Sequence, residues 1–207
     1  MARRPWAGLV PAFFRGVQDT WWYRDFLSTL LPPLADLKSG ARALDFGAGP
    51  GRLVGQIRSA FPALQCVGAD CDPAMLKEAA KRFPPGAVEL QLVPRMPPLP
   101  FRENSFDAVC AASVLHVIPD PEPVVGDLFR ILRPGGVLLV ATPAHHLAGP
   151  VVSVDPRFHL WRAATRRAGR RWDSERLLER SSARHGAGYD RFVDIEHRSL
   201  VEACWLA

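Results

Sequence analysis

The stretch Leu44-Asp45-Phe46-Gly47-Ala48-Gly49-Pro50-Gly51-Arg52-Leu53 holds the densest candidate chemistry in the sequence. Glycines at 47, 49 and 51 let the backbone turn tightly and let a ligand approach it closely. A helix opening behind them would offer free N–H groups. A dinucleotide loop of the form G-x-G-x-x-G would need its third glycine at position 52, which is Arg52. Val67-Gly68-Ala69-Asp70 ends in a carboxylate 25 residues beyond Asp45. A carboxylate at that place can accept both hydroxyls of a ribose, whichever nucleoside cofactor carries it. Downstream of Ala112 and Ser113, His116 is the side chain best suited to take a proton from a reacting group. His145 and His146, after the fifth strand, are further candidates, and Tyr23 is a candidate for an N-terminal lid over the ligand. Each also has a plain structural use, as a turn glycine, a helix cap or a packed or exposed ring.

The elements that would position these residues follow from hydrophobic spacing. Residues 12–37 read as helical, with Phe13, Val17, Trp21 and Phe26 near one face and Pro32-Pro33 ending the run. A regular alternation then begins, with strands over 42–46, 65–70, 88–93, 106–112 and 137–142. Helices over 52–61, 73–83 and 121–132 separate them, and a proline-rich loop, 94–100, replaces another. Asp72 before Pro73 reads as a helix cap, and Arg133-Pro134-Gly135-Gly136 as a helix stop. Ser174–His185 reads as a further helix. The strands expected over 191–197 and 200–206 are so close together that they can pair only as a hairpin. The sum is an α/β fold: a seven-stranded sheet with helices on both faces, mostly parallel, with an antiparallel last strand.

Composition sets the outer bounds. The chain has 207 residues, enough for one ordinary domain with a substantial core. Hydrophobic residues make up 48% and charged residues 23%, which excludes a disordered or collagen-like chain. No apolar run reaches the roughly 18 residues of a membrane-spanning helix. The four cysteines show neither C-x-x-C spacing nor zinc-ligand spacing, so reduced thiols, a cytoplasmic location and no metal are expected. The Arg-bearing start of the chain keeps the mitochondrial matrix as the alternative location. The net charge of +5 lies on the flanks, because residues 41–150 balance ten basic against ten acidic residues.

Together the loop, Asp70, Leu99-Pro100-Phe101…Phe106-Asp107-Ala108-Val109, Ser113-Val114-Leu115-His116 and Leu132-Arg133-Pro134-Gly135-Gly136 resemble the class I S-adenosylmethionine-dependent methyltransferases. The likeness is to their small-molecule branch, runs without a gap over about 41–143, and continues more faintly to 207. It implies a Rossmann-like fold, S-adenosyl-L-methionine as donor and S-adenosyl-L-homocysteine as product. Gly47, Gly49 and Gly51 would pass under the methionine portion, and Asp45 would reach its amino group through water. Asp70 would bind the ribose and Cys71 would lie against the adenine. Ala112 and Ser113 would line the sulfonium side. Relatives commonly carry an acid where this chain has Arg95, and arginine cannot accept a hydrogen bond. Either the backbone near Met96 accepts in its place, or the adenine is held more loosely, or the proline-rich loop shifts the register. The expected organisation is an N-terminal helical lid over 1–40 and a methyltransferase domain over 41–207, with 144–173 capping the acceptor.

The expected acceptor is a small organic or lipid-like molecule. Ala111-Ala112-Ser113-Val114 stands where enzymes that methylate amino nitrogens of bases or glutamine carry an Asn-Pro-Pro-Tyr-type turn, and the C-terminal motif of menaquinone-pathway members is missing. Six arginines with no acid between them occur over Arg157–Arg171, which keeps nucleic acid or an anionic lipid surface as alternative partners. The rival readings are an RNA- or protein-directed methyltransferase and a catalytically weak cofactor-binding scaffold.

Overall fold

A computed structural model of the chain describes residues 10–143, 174–194 and 199–206. Two short helices, α1 (Val10–Gln18) and α2 (Trp21–Ser28), lead through a 3-10 turn at Pro32–Leu34 into β1 (Arg42–Phe46). There follow α3 (Arg52–Ala60), β2 (Gln65–Asp70), α4 (Pro73–Ala80), β3 (Glu89–Leu92) and β4 (Phe106–Ala112). A 3-10 turn at Leu115–Val117, α5 (Glu122–Ile131) and β5 (Leu132–Pro143) complete the alternation. Last come α6 (Ser174–Arg184), β6 (Ala187–Asp194) and β7 (Ser199–Leu206).

The architecture is α/β and Rossmann-like, with β1 to β5 parallel and helices against both faces. β1 lies between β2 and β4, so the strand order reverses beside it. In open sheets, ligands bind at such a reversal, outside the carboxyl ends of the strands. Beyond β5 the order continues to β7, antiparallel to it, and then to β6.

The apolar runs are continuous because both sheet faces are covered, and alternate residues serve opposite layers. Ala43, Ala108, Cys110, Leu139 and Ala141 meet α1, α2 and α3 through Val17, Phe26, Leu27, Leu53, Val54 and Ile57. Leu44, Phe46, Val109, Ala111, Leu138 and Val140 meet α5 and α6 through Val124, Leu128, Phe129, Ile131, Leu177 and Leu178. Where a helix is missing before β4, side chains pin the loop instead. Asp127 accepts from Leu99 N at 2.6 Å, and Arg130 donates to Leu99 O at 3.2 Å and Phe101 O at 3.0 Å.

Several expected bounds are corrected. The run 12–37 is not one helix, because Thr20 is extended (φ −66°, ψ 150°) and its hydroxyl donates to Val17 O at 2.6 Å. The break shifts the helical phase: Val17 and Phe26 are buried, whereas Trp21 is 73% exposed. The sequence Arg133-Pro134-Gly135-Gly136 does not stand outside the sheet. β5 begins at Leu132 beside Phe106, and a register shift between Phe106 and Ala108 accommodates these residues. β6 starts at Ala187, earlier than hydrophobicity alone suggested, because pairing with β7 extends it. Asp72 does cap α4, accepting from Ala74 N at 2.8 Å. The expected acceptor cap 144–173, with His145, His146 and the arginines from Arg157 to Arg171, lies outside the described residues. Among the described residues, no helix is long and apolar enough to cross a membrane, and no cluster of potential metal ligands occurs.

Candidate functional site

The loop after β1 owes its shape to glycines with positive φ. At Gly47 φ is +77°, and an added Cβ would come within 2.6 Å of Val114 Cβ. At Gly51, which begins α3, φ is +81°, and an added Cβ would meet Ala79 Cβ at 3.0 Å and Phe83 at 3.2 Å. Both positions therefore demand glycine for backbone conformation and for space. Their purposes differ, since Gly51 lets α3 pack on α4.

Three N–H groups of this loop and the first turn of α3 are each taken by a side chain from another element. Gly49 N donates to Asp70 Oδ2 at 2.8 Å, Val54 N to Asp45 Oδ2 at 3.0 Å, and Arg52 N to Gln18 Oε1 at 3.2 Å. Gly51 has no side chain with which to cap α3, so Gln18 performs that task from α1. The second oxygen of Asp70 accepts from Asp72 N at 2.9 Å. Burial raises the Asp70 carboxyl above its ordinary value, and the N–H bonds from Asp72 and Gly49 offset part of that rise.

A cavity of about 380 Å³ opens above this loop at the carboxyl ends of β1, β2 and β4. That is within the size range of small-molecule and cofactor sites. Gly47, Gly49, Asp70, Cys71, Ala112, Ser113 and His116 all line it, so most of the residues singled out in the sequence converge there. Tyr23 joins them from α2, and Phe13, Phe14 and Gln18 from α1. Burial pushes the Tyr23 phenol up to about 12, against the contrary effect of Ser113 and Gln18 beside it. Arg95 also reaches the lining from the segment after β3.

Three singled-out residues are placed elsewhere. Gly51 packs against α4. Met96 is exposed and not part of the lining, where Pro94 and Arg95 stand instead. Asp45 is buried beneath the loop with its carboxylate turned to Val54 N. Sequence reasoning missed Gln18, Phe13 and Phe14 as site residues. The helical periodicity marks Phe13 only as an apolar position and gives no sign that α1 ends over the glycine loop.

Asp45 yields a pH prediction. Burial, with the nearby Asp70 charge adding to it, pushes its carboxyl up to about 7, although the Val54 N–H favours the charged form. Its folded value therefore lies above its unfolded value, so the native state holds more protons between about pH 4 and 7. The stabilising contribution is complete at the acid end and declines as pH rises through that window. Urea unfolding across the window should show wild type losing stability relative to Asp45→Asn as pH increases. A pH-independent difference would contradict this assignment.

Residues 44–140 match the methyltransferase domain family. A trans-aconitate 2-methyltransferase from Variovorax paradoxus is 32% identical over 133 residues, covering 64% of this chain and 49% of that protein. A ubiquinone/menaquinone biosynthesis C-methyltransferase from Desulfotalea psychrophila is 32% identical over 128 residues, with 61% and 50% covered. The chain thus spans about half the length of these curated relatives. Among solved structures, a SAM-dependent methyltransferase from Aquifex aeolicus superposes with a TM-score of 0.72 at 16% identity, covering 95% of this chain and 98% of that one. Phosphoethanolamine N-methyltransferase 2 from Haemonchus contortus, solved with S-adenosyl-L-methionine, gives 0.66 at 17% identity, with 95% and 59% covered.

Proposed function

We propose that the chain is a class I S-adenosylmethionine-dependent methyltransferase, as the match of residues 44–140 to the methyltransferase domain family supports, and that it transfers a methyl group from S-adenosylmethionine to a small, largely apolar acceptor. The observation that carries this reading is the convergence of Gly47, Gly49, Asp70 and His116 on one cavity at the strand-order reversal. We assign 41–207 as one catalytic domain, hairpin β6–β7 included, and α1 and α2 as its lid.

The residues fit the donor. Asp70 accepts from the ribose hydroxyls, and its two oxygens have lone pairs to spare beyond the backbone bonds they now accept. The glycine loop, without side chains at 47 and 49, lets the amino-acid end lie close against its backbone. Asp45 serves from beneath by holding the first turn of α3 rather than by touching the donor. When bound, the donor supplies a methyl group already activated by its sulfonium. The protein's task is then mainly positioning, which can be worth about 7–11 kcal/mol. Phe13, Phe14, Tyr23 and Phe46 exclude water and offer ring faces to a positive centre.

His116 takes the acceptor's proton. It sits in the 3-10 turn after β4, buried and in the cavity lining. His116→Asn should lower kcat about 10²–10³-fold while the Kd for S-adenosylhomocysteine changes less than twofold. An unchanged kcat would reassign His116 to packing.

The apolar acceptor is supported by Phe13, Phe14, Val114, Val117 and Ile118, which line the cavity outside the loop and strand ends. Arg95 is the one arginine or lysine among the described lining residues, and it enters from the β3 side, away from β4. The test is homocysteine-product formation across an acceptor panel. Neutral aromatic or lipid-like acceptors should turn over, and polycarboxylates should not. Preference for a polycarboxylate would overturn the acceptor class.

A further inference from the structure

The lid is fastened to the glycine loop by charged groups that neither the sequence pattern nor the family match singles out. Arg82 follows α4, and its side chain is only 10% exposed. Its Nε donates to Pro50 O, in the middle of the glycine loop, at 2.5 Å. Its Nη1 donates to Asp19 Oδ1, at the end of α1, at 2.8 Å. The same Asp19 oxygen accepts from Arg52, the first residue of α3. Arg15, one turn earlier on α1, donates to Glu78 of α4 at 2.6 Å.

A buried guanidinium carries a desolvation cost that only good pairing offsets. For Arg82 that pairing comes from two elements at once, the glycine loop and the end of α1. If α1 lifts away, Arg82 loses Asp19, and Arg52 loses both Asp19 and the Gln18 cap on its N–H. The loop and the lid are therefore energetically linked through shared partners.

We propose that Arg82 and Asp19 are positioning residues that couple closure of α1 to the shape of the glycine loop, so that the donor's amino-acid end is gripped only when the lid is down. The inference rests on the donor reading above. Linkage requires the reciprocal effect: a donor that grips the loop also holds the lid.

The experiment is calorimetric titration of wild type, Asp19→Asn, Arg82→Gln and the double variant. Each is titrated with S-adenosylhomocysteine and with 5′-methylthioadenosine, an adenosine thioether that lacks the amino-acid end. Each single change should weaken S-adenosylhomocysteine binding about tenfold. The double variant should bind no more weakly than the weaker single variant, because both changes cut one linkage. Binding of 5′-methylthioadenosine should change less than twofold throughout. Amide exchange in 10–18 should slow when S-adenosylhomocysteine is added to wild type, and should slow less in Asp19→Asn. Arg82→Lys, which keeps the charge but not the two-pronged reach, should fold as wild type does and show the same selective loss. Unchanged homocysteine binding in the single variants, equal loss of both ligands, or multiplying effects in the double variant would each overturn the coupling. Failure of wild type to bind either ligand would instead overturn the donor reading on which it rests.

Discussion

Asp70→Ala is expected to weaken S-adenosylhomocysteine binding at least about a hundredfold while leaving the protein folded. A hydrogen bond to a charged group is worth about 1.5–3 kcal/mol, and Asp70 is assigned two from the ribose. Each 1.4 kcal/mol is a factor of ten in affinity. The variant also frees Gly49 N, which Asp70 now holds at 2.8 Å, so the loop loses its side-chain tie to β2. Folding should survive because Asp70 lies at the end of β2, with Val67 and Ala69 still filling the core. Asp70→Asn keeps one acceptor oxygen and should fall between wild type and alanine. Calorimetry reads the affinities, and a thermal melt reads the fold. Wild-type affinity in Asp70→Ala would place the ribose elsewhere.

Gly47→Ala should be the most damaging single methyl in the molecule. The new Cβ would come within 2.4 Å of Val114 Cγ2 and 2.6 Å of Val114 Cβ. Rotation of the valine cannot relieve the second contact, because that atom is fixed to the backbone. The position also has a φ of +77°, which costs an alanine about 1–2 kcal/mol by itself. A destabilisation of about 3 kcal/mol or more is expected, together with loss of donor binding. Adding Val114→Ala removes the outer contact at 2.4 Å and leaves the backbone strain. The double variant should therefore recover part of the stability in urea unfolding but not all of it. No loss in Gly47→Ala would mean the loop has another conformation.

Much of this was legible in the sequence, and the limits have physical causes. The alternation from 42 to 142 was readable because strands covered on both faces are near-continuous apolar runs broken by amphipathic helices. The loop, Asp70 and His116 were readable because glycine spacing, a strand-end acid and a ring after a strand are local patterns. The burial of Asp45 beneath the loop was not legible, because spacing reports which residues are near the loop, not which side of it they face. Gly51 shares the motif with Gly47 and Gly49, yet its missing side chain serves α4 packing, a tertiary fact. The α1–α2 break was hidden because Thr20 ends a helix through its own hydroxyl bond to Val17 O, without proline or glycine. Gln18 and Asp19 carried no signal at all: their partners at 52 and 82 are more than thirty residues away. The acceptor is the least legible part, since relatives of similar identity bear names as different as trans-aconitate 2-methyltransferase and a quinone C-methyltransferase.

The central claim is that the cavity over the glycine loop binds a methionine-bearing adenosine and not a dinucleotide. Calorimetric titration of the wild-type protein with S-adenosylhomocysteine, and separately with NAD, tests it most directly. The account predicts saturable binding of one S-adenosylhomocysteine per chain and no heat of binding with NAD. A melt at a hundredfold excess over Kd should show about 2.7 kcal/mol of added stability with S-adenosylhomocysteine alone. Saturable binding of NAD, or a folded protein indifferent to S-adenosylhomocysteine, would contradict it.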